Sequence, residues 1–474
     1  MKFTSTRDKS VKVGFMQAVL DCTPRDGGMY VPFETEDLRR WITYTDENTS
    51  FTSIAGSLTS AFIQDEFSPI ICETIATRAF PFAPEIKQLD EKLFLLELTS
   101  GPTGMHRDFG ISFLVSFLET TLQLKGETAT FIDVSTGELG ASLAAAIRGS
   151  KHLKAVIVYP KGCVRGLEES DFIWNGGNIY PIEVDGTIED CNKLCRSIFD
   201  DENFVKANRL TLANTVNIGR LLPQAFFYPF AFSRIKNKVH SDIVYALAAG
   251  NYSNVVAGLY AWQFALPLNG FVIPSHQALA ADVMGNPLIL DSIVPVKERD
   301  DTDSAHVSNL ERLEDIFSAN QLMMKHFIFP VKVGESEIDA AVKELFMKYK
   351  IYADLHTARA YAAAKLKHSD EYDECATVLI ARDHACYSSD FVRQKTGETP
   401  EMPETVINAL KKTEVGKPLV NSVEEIKKII ENLSKEGLLI GIDRDEDALK
   451  VAKDRLKSFE NVKFVHDNHD NIKE

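Results

Sequence analysis

Apolar and polar positions change rhythm along this chain. From Lys92 onward, short apolar runs alternate with stretches of helical period: LFLLEL, a helix through Leu114–Leu124, ATFIDV, a helix over Leu139–Arg148, and AVIVYP. That alternation predicts parallel strands joined by helical crossovers. The rhythm returns with DIVYALAAG at 242–250 and a helix from Val255, then with helices over Glu335–Lys350 and Ala358–Lys367 leading into ATVLIAR. Before it, Met1 to about Pro84 reads as a mainly helical lead-in, with a turn at TPRDGG and a helix over Ser53–Asp65. The chain is therefore expected to be α/β, with a small N-terminal domain.

Two segments break the pattern. Lys297–Asp315, opening with KERDDTDSAH, is rich in Asp, Glu, Arg and Ser and is expected to be an exposed loop or linker with solvated charges. After a last helical pattern over Val423–Leu433, the sequence from Gly437 reads as a strand, a turn, an amphipathic helix over Glu446–Lys457 and a second strand at Val462–His466, a βαβ half-unit.

With 474 residues, 45% of them hydrophobic and 25% charged, the chain is of globular composition and long enough for two or three cores. A formal net charge of -16 repels phosphate backbones and acidic lipid, so neither nucleic acid nor membrane is an expected partner. Apolar stretches such as Leu221–Phe232 are interrupted by Pro223, Gln224 and Pro229 and fall short of the roughly 20 residues that span a bilayer. The first residues carry basic charge without an apolar run or cleavage site, so a cytoplasmic location is expected. Seven cysteines, with no CxxC pair, imply reduced thiols and no metal. Cys191 and Cys195 share one face of a helix expected over Asp190–Phe199, but no histidine or second pair lies near them in sequence.

Several motifs carry a resemblance. STRD (Ser5–Asp8) and DGGMYVP (Asp26–Pro32) resemble the opening of threonine synthases, and LLELTSGPTGMHRDFG (Leu95–Gly110) is similar to the family segment that runs from a strand through Gly-Pro-Thr to a lysine and Asp-Phe-Gly. NTVNIGRLLPQ (Asn214–Gln224), GNYSN (Gly250–Asn254) and DLHTARAY (Asp354–Tyr361) follow in the family's order. The resemblance implies a two-domain fold type II pyridoxal-phosphate enzyme fold, like the tryptophan synthase beta chain, with an N-terminal domain over 1–84 and two intertwined α/β domains over 85–433. It implies pyridoxal 5'-phosphate as cofactor and the conversion of O-phosphohomoserine and water to threonine and phosphate. Gly250, Asn251, Tyr252, Ser253 and Asn254 stand at the family's phosphate loop, and Thr136, Gly137, Glu138, Leu139 and Gly140 at its substrate loop.

The departures from the family are chemical. Pyridoxal phosphate becomes an electron sink only after a neutral amine forms a Schiff base with its aldehyde. A lysine, with a reference pKa near 10.4, is neutral about once in 10³ at pH 7. Here Arg107 holds that position. A guanidinium, at roughly 13, is neutral only about once in 10⁶ and is a delocalised, poor nucleophile. The family's Ser-Gly-Asp-Thr-Gly has become Thr136–Gly140, the phosphate loop's second glycine is Ser253, and ARDHACY (Ala381–Tyr387) lacks the hydroxyl that meets the pyridine nitrogen. Arg107 retains the ability to pair bidentately with a phosphate or carboxylate. The expectation is a divergent homologue with lysine-dependent catalysis impaired or lost. The alternatives are an active synthase or phospho-lyase using the cofactor without the lysine, and a non-catalytic protein that takes a phosphorylated amino acid in the cleft or regulates a true synthase through its acidic surface.

The tail over 434–474 resembles the second strand onward of a ribosomal-RNA cytosine methyltransferase, in which the acid at the Asp443 position contacts the ribose of S-adenosylmethionine. The glycine-rich loop that should precede it is absent, so the fragment is not expected to bind that cofactor.

Overall fold

The apolar runs pair as their spacing predicts. The computed structural model describes residues 1–63, 65–275, 278–282, 284, 286–289, 295–318, 320–368, 375–434, 439–456 and 462–467. Contacts divide them into two units, Met1–Leu419 and Val420–Glu474.

Two sheets organise the first unit. The larger has the order Ile328–Val331, Gly270–Pro274, Ile243–Ala246, Ala376–Ala381, Leu93–Glu97, Glu85–Asp90, and every pair is parallel except the last. The smaller, all parallel, has the order Ile179–Val184, Leu153–Pro160, Ala129–Val134, Leu210–Thr211. Ala376–Ala381 and Ile243–Ala246 are buried at every position, because parallel strands covered on both faces need continuous apolar runs. The smaller sheet lies, in sequence, between the second and third strands of the larger one. A 19-residue helix, Arg107–Lys125, leads from one to the other.

That helix begins well before the expected Leu114, since its first turn, RDFG, has no apolar period to announce it. Other elements fall close to expectation: Glu138–Ile147, Ser253–Gln263, Glu335–Tyr349 and Leu355–Lys367 are helices. The lead-in holds helices Phe51–Ile63 and Pro69–Ala79 and an antiparallel pair, Phe3–Ser5 with Tyr30–Pro32. Its aromatic side chains enter the same core as the long helix. The Phe51 ring lies 5.5 Å from Phe109, and Phe80 6.2 Å from Phe113. Such ring pairs add to the area they bury.

The charged segment 297–315 departs from expectation. Leu310–Ile316 is a helix, and Arg312 within it is fully buried. Its guanidinium donates to the carbonyls of Tyr30, Thr215 and Val216 and to Asn309 Oδ1, at 2.5–3.0 Å. Arg299 pairs with Glu314, and Arg7 with Glu311. Arg312 is packed rather than solvated because acceptors from two distant segments, at Tyr30 and at Thr215–Val216, and from the adjacent Asn309 satisfy it, which removes most of the cost of burial.

The second unit contains helix Val423–Ser434, strand Leu439–Asp443, helix Glu446–Arg455 and strand Val462–His466, with the two strands parallel. The expected βαβ half-unit is formed, although Gly437 and Lys457 lie outside the described residues.

Candidate functional site

Four loops of the site leave the carboxyl ends of parallel strands, where α/β sheets place their ligands. They follow Leu93–Glu97, Ala129–Val134, Ile243–Ala246 and Ala376–Ala381.

The first loop is braced from within. Asp108, buried in the opening turn of the long helix, accepts from Thr103 N at 2.8 Å and Thr103 Oγ1 at 2.7 Å. Burial lifts its carboxyl above the usual range, against hydrogen bonds from Ser142 and Thr103. Tyr387 donates its hydroxyl to the Thr103 carbonyl at 2.6 Å, tying this loop to the one after the last strand. His106 N donates to the Arg382 carbonyl at 2.7 Å, and His106 Nδ1 lies 2.9 Å from Asp383 Oδ1. Burial, then the charge of Arg382, pushes the imidazole down to about 3, against the pull of Asp383. Burial would lift Asp383; the imidazole and the Arg382 and Arg107 guanidiniums outweigh it and hold that carboxyl well below the usual range. At pH 7 the pair is a neutral imidazole against a carboxylate.

Arg107 opens the long helix and reaches across to the second loop, where Nη2 meets Glu138 Oε2 at 2.8 Å. That loop is turned by Ser135 Oγ, which accepts from Gly137 N at 2.9 Å and Gly140 N at 3.0 Å. Gly137 sits at φ +126°, and a Cβ there would come within 2.5 Å of Arg165. Thr136 is exposed and Leu139 packs against the core, so of these five positions Glu138 is the one that meets Arg107.

The third loop carries Gly250 at φ +52° and Tyr252 at φ 64° into helix Ser253–Gln263. Asn251 donates to Thr215 Oγ1 at 2.9 Å and Asn254 to Gln224 Oε1 at 2.7 Å, so the NTVNIGRLLPQ segment fixes its shape. A Cβ on Gly250 would lie 2.7 Å from Arg382 Nη1. Arg382 was not foreseen as a site residue; the signal available was its position directly after the apolar run ATVLIA. Arg220, from the NTVNIGRLLPQ segment, is 4% exposed, and its Nε and Nη1 are buried without a hydrogen-bond partner among the described residues. Burial, then the charge of Arg107, lowers its pKa to about 9, with Arg382 adding to the effect and Asp108 opposing it.

The fit to pyridoxal phosphate is divided. The Gly250–Asn254 turn, with Gly250 Cα against a guanidinium and a helix start beyond it, suits the phosphate. Arg107, bound to a carboxylate, does not suit the aldehyde. Cys191 and Cys195 are both buried in helix Ile188–Phe199, and burial pushes the Cys191 thiol up to about 11. A separate hollow of about 890 Å³ touches Asp21, Arg25, Arg209 and Asp303, and none of the site residues lines it. Among the described residues, no helix is long and apolar enough to cross a membrane.

Known proteins resemble the chain over most of its length. The profile described as "Pyridoxal-phosphate dependent enzyme" matches residues 71–382, and that described as "Threonine synthase N terminus" matches 2–80. The threonine synthase of Escherichia coli K12 is 27% identical over 412 residues, which cover 85% of this chain and 93% of that protein. The crystal structure of the Escherichia coli enzyme superposes with a TM-score of 0.72 at 25% identity, over 91% of this chain and 100% of that one. A structure described as pyridoxal-phosphate-bound threonine synthase from Brucella melitensis gives 0.76 at 22% identity, over 92% and 100%, and speaks for the fold. The chain belongs to the pyridoxal-phosphate-dependent enzyme family and, within it, to the threonine-synthase-like group.

Proposed function

We propose that this chain is a threonine-synthase homologue that no longer performs lysine-dependent chemistry and uses its cleft to hold a small phosphorylated amino acid. One observation carries the reading: the Nη2 of Arg107, which by resemblance stands at the family's Schiff-base position, is engaged 2.8 Å from Glu138 Oε2. A permanently charged, ion-paired guanidinium neither attacks an aldehyde nor shuttles a proton at neutral pH. When bound in a family member, pyridoxal phosphate supplies an electron sink. What these residues do is hold: the Gly250–Asn254 turn opens a helix whose first turn presents backbone N–H groups, other than Tyr252 N and Ser253 N, which donate to the Ala249 carbonyl and to Asn251 Oδ1, and Asp108 ties down the loop before Arg107 through Thr103. A net charge of -16 argues for a small ligand rather than nucleic acid.

The test pairs two measurements on the whole chain, phosphate release from O-phosphohomoserine and the absorbance retained after pyridoxal phosphate is added and the protein desalted. No release and no visible band are expected, with a band appearing in Arg107→Lys. A band or steady phosphate release in the unmodified protein overturns the reading.

A further inference from the structure

We infer that Arg382 is an anion-binding residue, and that its guanidinium and the Gly250–Asn254 turn together form a non-covalent site for the dianion of a small phosphate monoester. The inference rests on the reading above and adds the group that replaces covalent anchorage.

Position comes first. The Arg382 carbonyl is fixed by His106 N at 2.7 Å, and the side chain runs from there to the phosphate loop, where Nη1 lies 2.7 Å and Cζ 3.6 Å from the place a Gly250 Cβ would take. The guanidinium therefore lies against the turn that opens helix Ser253–Gln263, where Ser253 N donates to Asn251 Oδ1 at 3.3 Å and Asn254 N and Val255 N have no carbonyl within the helix to receive them. Guanidinium and backbone N–H groups side by side match the oxygens of one phosphate.

Charge comes second. Among the described residues no carboxylate pairs with Arg382, and its Nε is buried without an acceptor. Its neighbour Asp383 gives Oδ1 to His106. Two more guanidiniums lie near. Arg107 gives Nη2 to Glu138 but keeps a buried, unpartnered Nε, and Arg220 has two such atoms while 4% exposed. Burial lowers the pKa of Arg220, and the charges of Arg107 and Arg382 add to that effect. Asp133, a carboxylate that would offset them, is itself pushed up to about 7 by burial, so it is only partly ionised at neutral pH. Buried N–H donors without acceptors and mutually repelling cations are both relieved by one entering dianion.

The probe is pyridoxine 5'-phosphate, a phosphate monoester without an aldehyde, titrated calorimetrically into the full chain at two salt concentrations. Binding that weakens with salt is expected. Arg382→Gln should lose about tenfold or more, as removal of a charge-assisted hydrogen bond does, and Arg382→Lys should recover part of the loss through charge without the fork. Arg382→Lys also serves as the folded control, with both variants checked by circular dichroism. Binding to Arg382→Gln as tight as to the parent, or no binding to the parent at all, overturns the inference. The same titration with pyridoxal phosphate separates the two claims. If the aldehyde form binds far more tightly and leaves a visible band, the reading of lost Schiff-base chemistry fails, whatever Arg382 does.

Discussion

Arg107 Nη2 and Glu138 Oε2 stand 2.8 Å apart, joining the first turn of the long helix to the start of helix Glu138–Ile147. By resemblance, both members stand where threonine synthases carry a lysine and an aspartate. The pair joins the two loops and engages the Arg107 guanidinium.

Replacing Glu138 by Gln should therefore change binding more than stability. The two side chains are 22% and 43% exposed, and such a partly solvated pair contributes less than about 1 kcal/mol. Freed from its carboxylate, Arg107 adds a cation to a site that already carries Arg220 and Arg382. A small shift in urea midpoint and a several-fold gain in affinity for pyridoxine 5'-phosphate are expected. A loss of affinity would mean that Glu138 positions Arg107 rather than competing with the ligand.

Two buried groups impose opposite pH dependences. Burial lifts Asp133 to about 7, against hydrogen bonds from Ala213 and Asn214. The unfolded value is near 3.9, so between about 4 and 7 the folded chain holds a proton the unfolded chain has released, and this residue makes stability fall as pH rises. For His106, pushed down to about 3 by burial and Arg382, the unfolded chain holds the extra proton up to about 6.5, and stability rises with pH. Asp133→Asn removes the first effect and keeps the second. Its urea midpoint should climb from pH 5 to 7 more steeply than the parent's; equal slopes would show Asp133 ionised in the folded protein.

The local patterns were legible where the physics is local. Strands such as Ala129–Val134 and helices such as Glu335–Tyr349 follow from periodicity, and the loops at Gly137 and Gly250 from short motifs. Contacts between distant segments were not. His106 and Asp383 are 277 positions apart, and neither residue type announces the other. Arg382 drew attention only for a missing hydroxyl nearby, because its meeting with Gly250 depends on how the first, third and fourth loops converge. Arg312 was misread for the same reason: in sequence it belongs to a charged run, while its acceptors lie on Tyr30, Thr215 and Val216.

Arg312 consequently supports the fold more than any exposed ion pair here. Substitution by Met removes four hydrogen bonds and leaves three buried carbonyls without a donor. Each such orphan costs about 1–3 kcal/mol, so a total loss on the order of 3–5 kcal/mol is expected in chemical denaturation. A loss under about 1 kcal/mol would mean that the surrounding segments re-form their hydrogen bonds without it.

Gly137 tests whether the substrate loop and the cation cluster are mechanically linked. At φ +126° a side chain is strained on backbone grounds, and a Cβ would come within 2.5 Å of the Cγ, Cδ and Nε of Arg165. Because Glu138 is the next residue, relief of the clash displaces the carboxylate that engages Arg107. Gly137→Ala should therefore cost roughly 1–3 kcal/mol and also shift affinity for an anionic probe in the direction of Glu138→Gln. The double variant Gly137→Ala/Glu138→Gln distinguishes coupling from coincidence. If the glycine acts through Glu138, its effect on affinity disappears once Glu138 is already neutral, while its stability cost remains. If the two affinity effects add in full, the loop's strain and the Arg107–Glu138 pair are independent features of this cleft.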